Sequence, residues 1–141
     1  MNHPPVLVDS IAEAAPSMAG QVVVCGSHGG RSSARYVLAL PRMPLAVFFN
    51  DAGVGKERAG IVALDMLQQR GVVAAAYAHD SARIGEAADA LAGGRISVCN
   101  AAAHAAGIRA GMPVGDAVRL LDAPDRDMLA ALPPAGSPPA A

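Results

Sequence analysis

Four short stretches of the chain are almost wholly apolar: residues 21–25 (QVVVC), 45–49 (LAVFF), 72–78 (VVAAAYA) and 95–99 (RISVC). Runs without polar alternation suit strands covered on both faces, as in a parallel sheet. Between them the apolar period lengthens to that of a helix. Ala59, Val62, Ala63, Met66 and Leu67 fall at i, i+3, i+4, i+7 and i+8. That spacing predicts a helix from about residue 55 to a stop at Gly71. Ile84, Ala87, Ala88 and Leu91 predict another over 83–91, and Val114, Ala117, Val118 and Leu121 a last one over 113–121. Arg31 opens a helix to about residue 40, and Asn100 opens an alanine-rich one ending at Gly107. Residues 1–8 read as an extended lead-in containing Pro4 and Pro5, and Asp9 or Ser10 caps a short helix ending near Pro16.

Strands alternating with helices predict an α/β fold. The expectation is a single domain over residues 1–131, with a mainly parallel sheet of about four strands and helices on both faces, in a Rossmann-like three-layer arrangement. Residues 132–141, rich in proline and alanine, are expected to be a disordered tail.

Composition narrows the partners. The chain has 141 residues, 52% hydrophobic but only 3% aromatic, so Ala, Val, Leu and Ile must fill its core. A formal charge of −1 gives no global attraction to nucleic acid or to an anionic membrane, and no Trp is present to stack on bases. No apolar run approaches the ~18 residues of a membrane span. The segment MNHPPVLVDS lacks the charged and apolar regions of a signal peptide, so a cytoplasmic location is expected. So small a sheet leaves apolar edges, and a homo-oligomer is expected. Two cysteines, Cys25 and Cys99, make no disulfide scaffold and read as buried thiols.

The polar residues that carry chemistry cluster just after the predicted strands. They are Ser27 and His28; Asn50, Asp51 and Lys56; His79, Asp80, Ser81 and Arg83; then Asn100 and His104. In a parallel sheet all four loops emerge on one side, where open α/β sheets bind ligands. Strand starts carry far fewer such groups. In G-S-H-G-G, Gly29 and Gly30 leave His28 uncovered, which fits a general acid/base, with Ser27 or Asp51 orienting it or the substrate. A metal site is not indicated, because His28, His79, His104 and Asp51 have no recognised ligand spacing. No cofactor is called for.

The segment 50–57, NDAGVGKE, resembles a Walker A loop, G-x-x-x-x-G-K-[ST]. Gly55 and Lys56 match. Asn50 replaces the first glycine, and Glu57 stands where a Ser/Thr would hold magnesium and would repel a phosphate. The reading adopted is a turn, built on Gly53 and Gly55, that binds some other anionic or polar group. The run Cys99-Asn100-Ala101 resembles the Cys-Asn-Thr segment of cofactor-independent amino-acid racemases. That likeness implies two thiols working from opposite sides of a substrate. The Thr is absent here, and those enzymes need two related domains. Finally, GSHGG, NDAGVGK and SARIG, spread over residues 26–85, resemble a set found in a family of small bacterial α/β proteins. The likeness implies a shared site and carries no activity with it.

The function these residues point to is an enzyme for a small anionic metabolite, a carboxylate or phosphate. His28 is the acid/base with Ser27 and Asp51 beside it. Gly29, Gly30, Asn50, Gly53, Gly55, Lys56, Ser81, Arg83 and Asn100 supply binding groups. The alternatives are a non-catalytic ligand-binding or regulatory module, a structural homo-oligomeric one, and cysteine-based racemase-like chemistry.

Overall fold

The computed structural model describes residues 4–122. It holds one sheet of five strands in the order β1-β2-β3-β4-β5. These are β1 (Val6–Val8), β2 (Val22–His28), β3 (Ala46–Asn50), β4 (Val73–Tyr77) and β5 (Ile96–Cys99). The helices are α1 (Arg31–Leu38), α2 (Val62–Gln68), α3 (Ala87–Gly93), α4 (Ala101–Ala105) and α5 (Val114–Asp122). The α/β expectation holds, with one strand more than expected. The additional strand is β1, whose Val6, Leu7 and Val8 pair in parallel with Val23, Val24 and Cys25. Pro4 and Pro5 precede it, as an edge strand tolerates. The expected tail at 132–141 lies outside the described residues.

Strands β1 to β4 are parallel and lie side by side in chain order. Crossovers of one hand then place every connector on the same face. Ile11 and Met18 from two short 3₁₀ turns, Ala34 and Val37 of α1, and Leu64 and Leu67 of α2 all pack on one side of the sheet with Val23, Val47, Phe49 and Ala76. After β4 the chain passes to the other face. There Ala90 of α3, Ala103, Ile108 and Val118 cover Val24, Phe48, Ala75 and Tyr77.

Two departures from expectation reposition the candidate site. First, β5 runs antiparallel to β4, with Ala75 opposite Cys99 and Tyr77 opposite Ile96. The end of β5 therefore lies at the amino edge of the sheet, away from the ends of β2, β3 and β4. Second, α2 begins at Val62 rather than near Gly55. Gly60 lies so close to the Asp51 carbonyl that a side chain there would overlap it. Glu57 and Arg58 have φ of 56° and 61°, which no α-helix accepts. Lys56 thus sits in a 3₁₀ turn over 56–58 and does not open a long helix.

Candidate functional site

Strand β2 bulges before it ends. Val24 pairs with Phe48 but His28 pairs with Asn50, so β2 carries two extra residues over that interval. Such bulges re-aim side chains at a sheet edge. The carbonyls turned out of the ladder find other partners. Tyr77 Oη donates to Cys25 O at 2.7 Å, and Gly85 N donates to Gly26 O at 2.7 Å. A side-chain carbon on Gly26 would lie 2.5–2.6 Å from Gly85 C, Asp9 O and Glu86 N, so only glycine fits.

Beyond the bulge, His28 is exposed, and its ring lies over Gly30. Gly30 is the N-cap of α1 and supplies no side-chain cap, which leaves the first N–H groups of that helix without an intrahelical partner. Ser33 Oγ donates to His28 O at 2.6 Å and ties helix to strand. His28, Gly30, Arg31, Ser32, Lys56, Glu57, Ala59 and Val62 line an open cleft of about 340 Å³. His28 and Lys56, separated by 28 positions in sequence, are thus brought to one cavity.

The wall carrying Lys56 has an unusual backbone. Ala52, Val54, Glu57 and Arg58 all have positive φ, between 51° and 68°, and they are the only non-glycine residues among those described that do. Each costs about 1 kcal/mol in that conformation. Gly53 and Gly55, both with φ of 75°, share the turn at little cost. The loop is closed by short backbone bonds, Val54 N to Asp51 O and Gly60 N to Val54 O, both 2.6 Å.

Asp51 does not face this cleft. It is 5% exposed, and its carboxylate takes four hydrogen bonds. Oδ1 accepts from Gly53 N at 2.8 Å and from His79 N at 3.0 Å, and lies 3.3 Å from His79 Nδ1. Oδ2 accepts from Ser97 Oγ at 2.7 Å. Burial alone would raise the carboxyl pKa, but these bonds, led by that from Ser97, outweigh it and hold the group below its ordinary value. Asp51 is therefore the partner of His79 and not of His28.

No family model, curated protein or solved structure matches the chain.

The remaining sequence-derived residues divide between the cleft and the framework. Ser27 Oγ accepts from Ile11 N at 2.9 Å and so fastens the first connector, with no bond to His28. Gly29 is buried where β2 meets the 60–61 turn; its N donates to Asn50 O and its O accepts from Ala63 N. Asn50 is fully buried, donating to Ala82 O and accepting from Ala52 N. Ser81 is tied into the framework: it donates to Ala78 O and accepts from Arg95 N. Arg83 points outward beside Glu86, and its own backbone N donates to Asp89. Asn100 lies at the opposite edge of the sheet because β5 is antiparallel. There it caps α4 and joins α2 to β4, donating to Leu64 O and Val72 O and accepting from Ala74 N and Ala103 N. His104, on α4, is at that edge too.

The two cysteines do not face each other. Cys25 is fully buried on the α1–α2 face, and burial pushes its thiol up to about 12. Cys99 packs against the opposite face. The paired thiols that a racemase-like reading needs are not formed within the chain. Among the described residues, no three His, Cys, Asp or Glu side chains gather as a metal site would require. No helix there is long and apolar enough to cross a membrane.

What sequence reading passed over is Ser97. It lies inside an apolar strand and carries no motif. Only its register opposite β4 brings it to Asp51.

Proposed function

We propose that the chain binds a small anionic metabolite, a carboxylate or phosphate, in the cleft between residues 28–32 and 56–59, with His28 as the general acid/base. One observation carries the reading. A cavity of about 340 Å³ at the carboxyl edge of the sheet is lined by His28, Arg31 and Lys56, next to the uncapped start of α1. That volume lies in the range of small-ligand sites. Two cationic side chains and the helix N-terminus favour a negative group there. Glu57 in the same wall opposes high charge, so a carboxylate fits better than a bare phosphate. The loop strain over 52–58 accords with a segment shaped for binding, since such backbone is retained where a site requires it. A homo-oligomer belongs to the same proposal: β1 is an edge strand with Leu7 41% exposed on it.

The test is an NMR titration of the ¹⁵N-labelled chain with acetate and with phosphate. Shifts are expected at residues 28–32 and 56–59. Lys56→Ala removes a charge-assisted bond and should weaken binding by about 1.5–3 kcal/mol, or roughly 10–150-fold. Unchanged affinity in that variant, or shifts elsewhere only, refutes the assignment.

A further inference from the structure

His79 stands among the polar residues after the strands but has no role in the expected site, yet it is the histidine that the fold orients. Its backbone N and its ring Nδ1 both meet Asp51 Oδ1, at 3.0 and 3.3 Å. Gly53 N donates to that same oxygen, and Ser97 Oγ fixes the carboxylate from the other side through Oδ2. Asp51 is buried while the His79 side chain is 59% exposed. A carboxylate only accepts, so this contact requires the proton on Nδ1 in the neutral ring. Nδ1 donates, and Nε2 is left with its lone pair directed away from Asp51. Gly53 sits beside the ring and presents no side chain to it. His28 has no such orienting group, because Ser27 and Asp51 are bonded elsewhere.

We propose that Asp51 and His79 form a carboxylate–imidazole dyad whose exposed Nε2 is the general base of a second site, outside the His28 cleft. Its substrate class is an O–H nucleophile, a bound water or a hydroxyl, attacking an electrophilic acyl carbon. The oxygen forms its bond to that carbon while its proton passes to Nε2. The imidazolium charge is offset by Asp51, whose bonds to Ser97 and Gly53 keep the carboxylate in place. The leaving group departs with its bonding pair and takes the proton back from Nε2, which restores the neutral ring. Asp51 and Ser97 are positioning residues in this scheme.

Two measurements on the full chain test it. Long-range ¹H–¹⁵N spectra at neutral pH should show His79 as the Nδ1–H tautomer, and Ser97→Ala should lower that fraction. Hydrolysis of p-nitrophenyl acetate should exceed that of free imidazole at equal concentration, and His79→Gln should lose at least 10-fold of it while His104→Gln, an exposed histidine at the opposite edge of the sheet, keeps it. An Nε2–H tautomer for His79 in the native chain overturns the dyad. The Nδ1–H tautomer together with unaltered hydrolysis by His79→Gln overturns the catalytic role. Acetate-induced shifts at residues 28–32 and 56–59, recorded on the same samples, decide the cleft reading separately.

Discussion

Asp51→Ala tests the hydrogen-bond network that holds the carboxyl edge of the sheet. It removes one acceptor group from four donors: Ser97 Oγ, Gly53 N, His79 N and His79 Nδ1. A hydrogen bond to a charged group contributes about 1.5–3 kcal/mol. The full sum overstates the loss, because Gly53 and His79 are exposed and water replaces part of what they lose. Ser97 is half-buried and keeps only a long contact of 3.4 Å to Ala76 O. The net cost at pH 7 should be about 2–4 kcal/mol, chiefly from Ser97 and the two backbone donors. For a chain of this size that lowers Tm by roughly 6–15 °C. Urea unfolding followed by far-ultraviolet circular dichroism measures it. The pH dependence gives an independent check. The folded pKa of Asp51 is lowered relative to the unfolded chain, so its contribution is fully present above about pH 4, the ordinary value. It is lost as pH falls through the folded value. The gap between wild type and variant should therefore narrow on acidification below about pH 4. A loss under about 0.5 kcal/mol at pH 7, or a gap that stays constant into acid, refutes the account of Asp51 as the anchor of this edge.

Gly26→Ala should destabilise by about 2–4 kcal/mol, read from the same urea unfolding, since its new carbon meets three backbone atoms that cannot move independently; a stability within 0.5 kcal/mol of wild type would contradict the crossing of the 85–86 segment over β2. Iodoacetamide at pH 8 should leave Cys25 unlabelled in the native chain and label it only on unfolding, because a buried thiol held near 12 offers almost no thiolate. Peptide mass mapping decides that outcome, and rapid native labelling at Cys25 would refute its placement in the core.

Much of the fold was legible in the linear pattern. The runs at 21–25, 45–49 and 72–78 became three adjacent parallel strands because continuous apolar character suits burial on both faces. The carboxyl edge was legible too, since polar loops follow those strands, and His28 and Lys56 line one cleft there. The strand Val6–Val8 was not, because three residues are too few to show a period.

Other features depended on contacts between distant segments. The direction of β5 is one: residues 95–99 are equally apolar read either way, and antiparallel pairing moved Asn100 and His104 to the far edge. That same reversal brought Ser97 to Asp51, which no local spacing encodes. The start of α2 is another. The periodicity of Ala59, Val62 and Ala63 continues smoothly, but Gly60 packs against the Asp51 carbonyl, Glu57 and Arg58 take left-handed backbone, and the helix starts only at Val62. The choice of histidine for Asp51 is the third. Sequence places His28 and His79 both at strand ends; the turn at Gly53 and the strand order hold Asp51 against His79. Periodicity along one chain fixes which residues are buried, while hydrogen bonds between chain-distant groups fix which polar atoms meet.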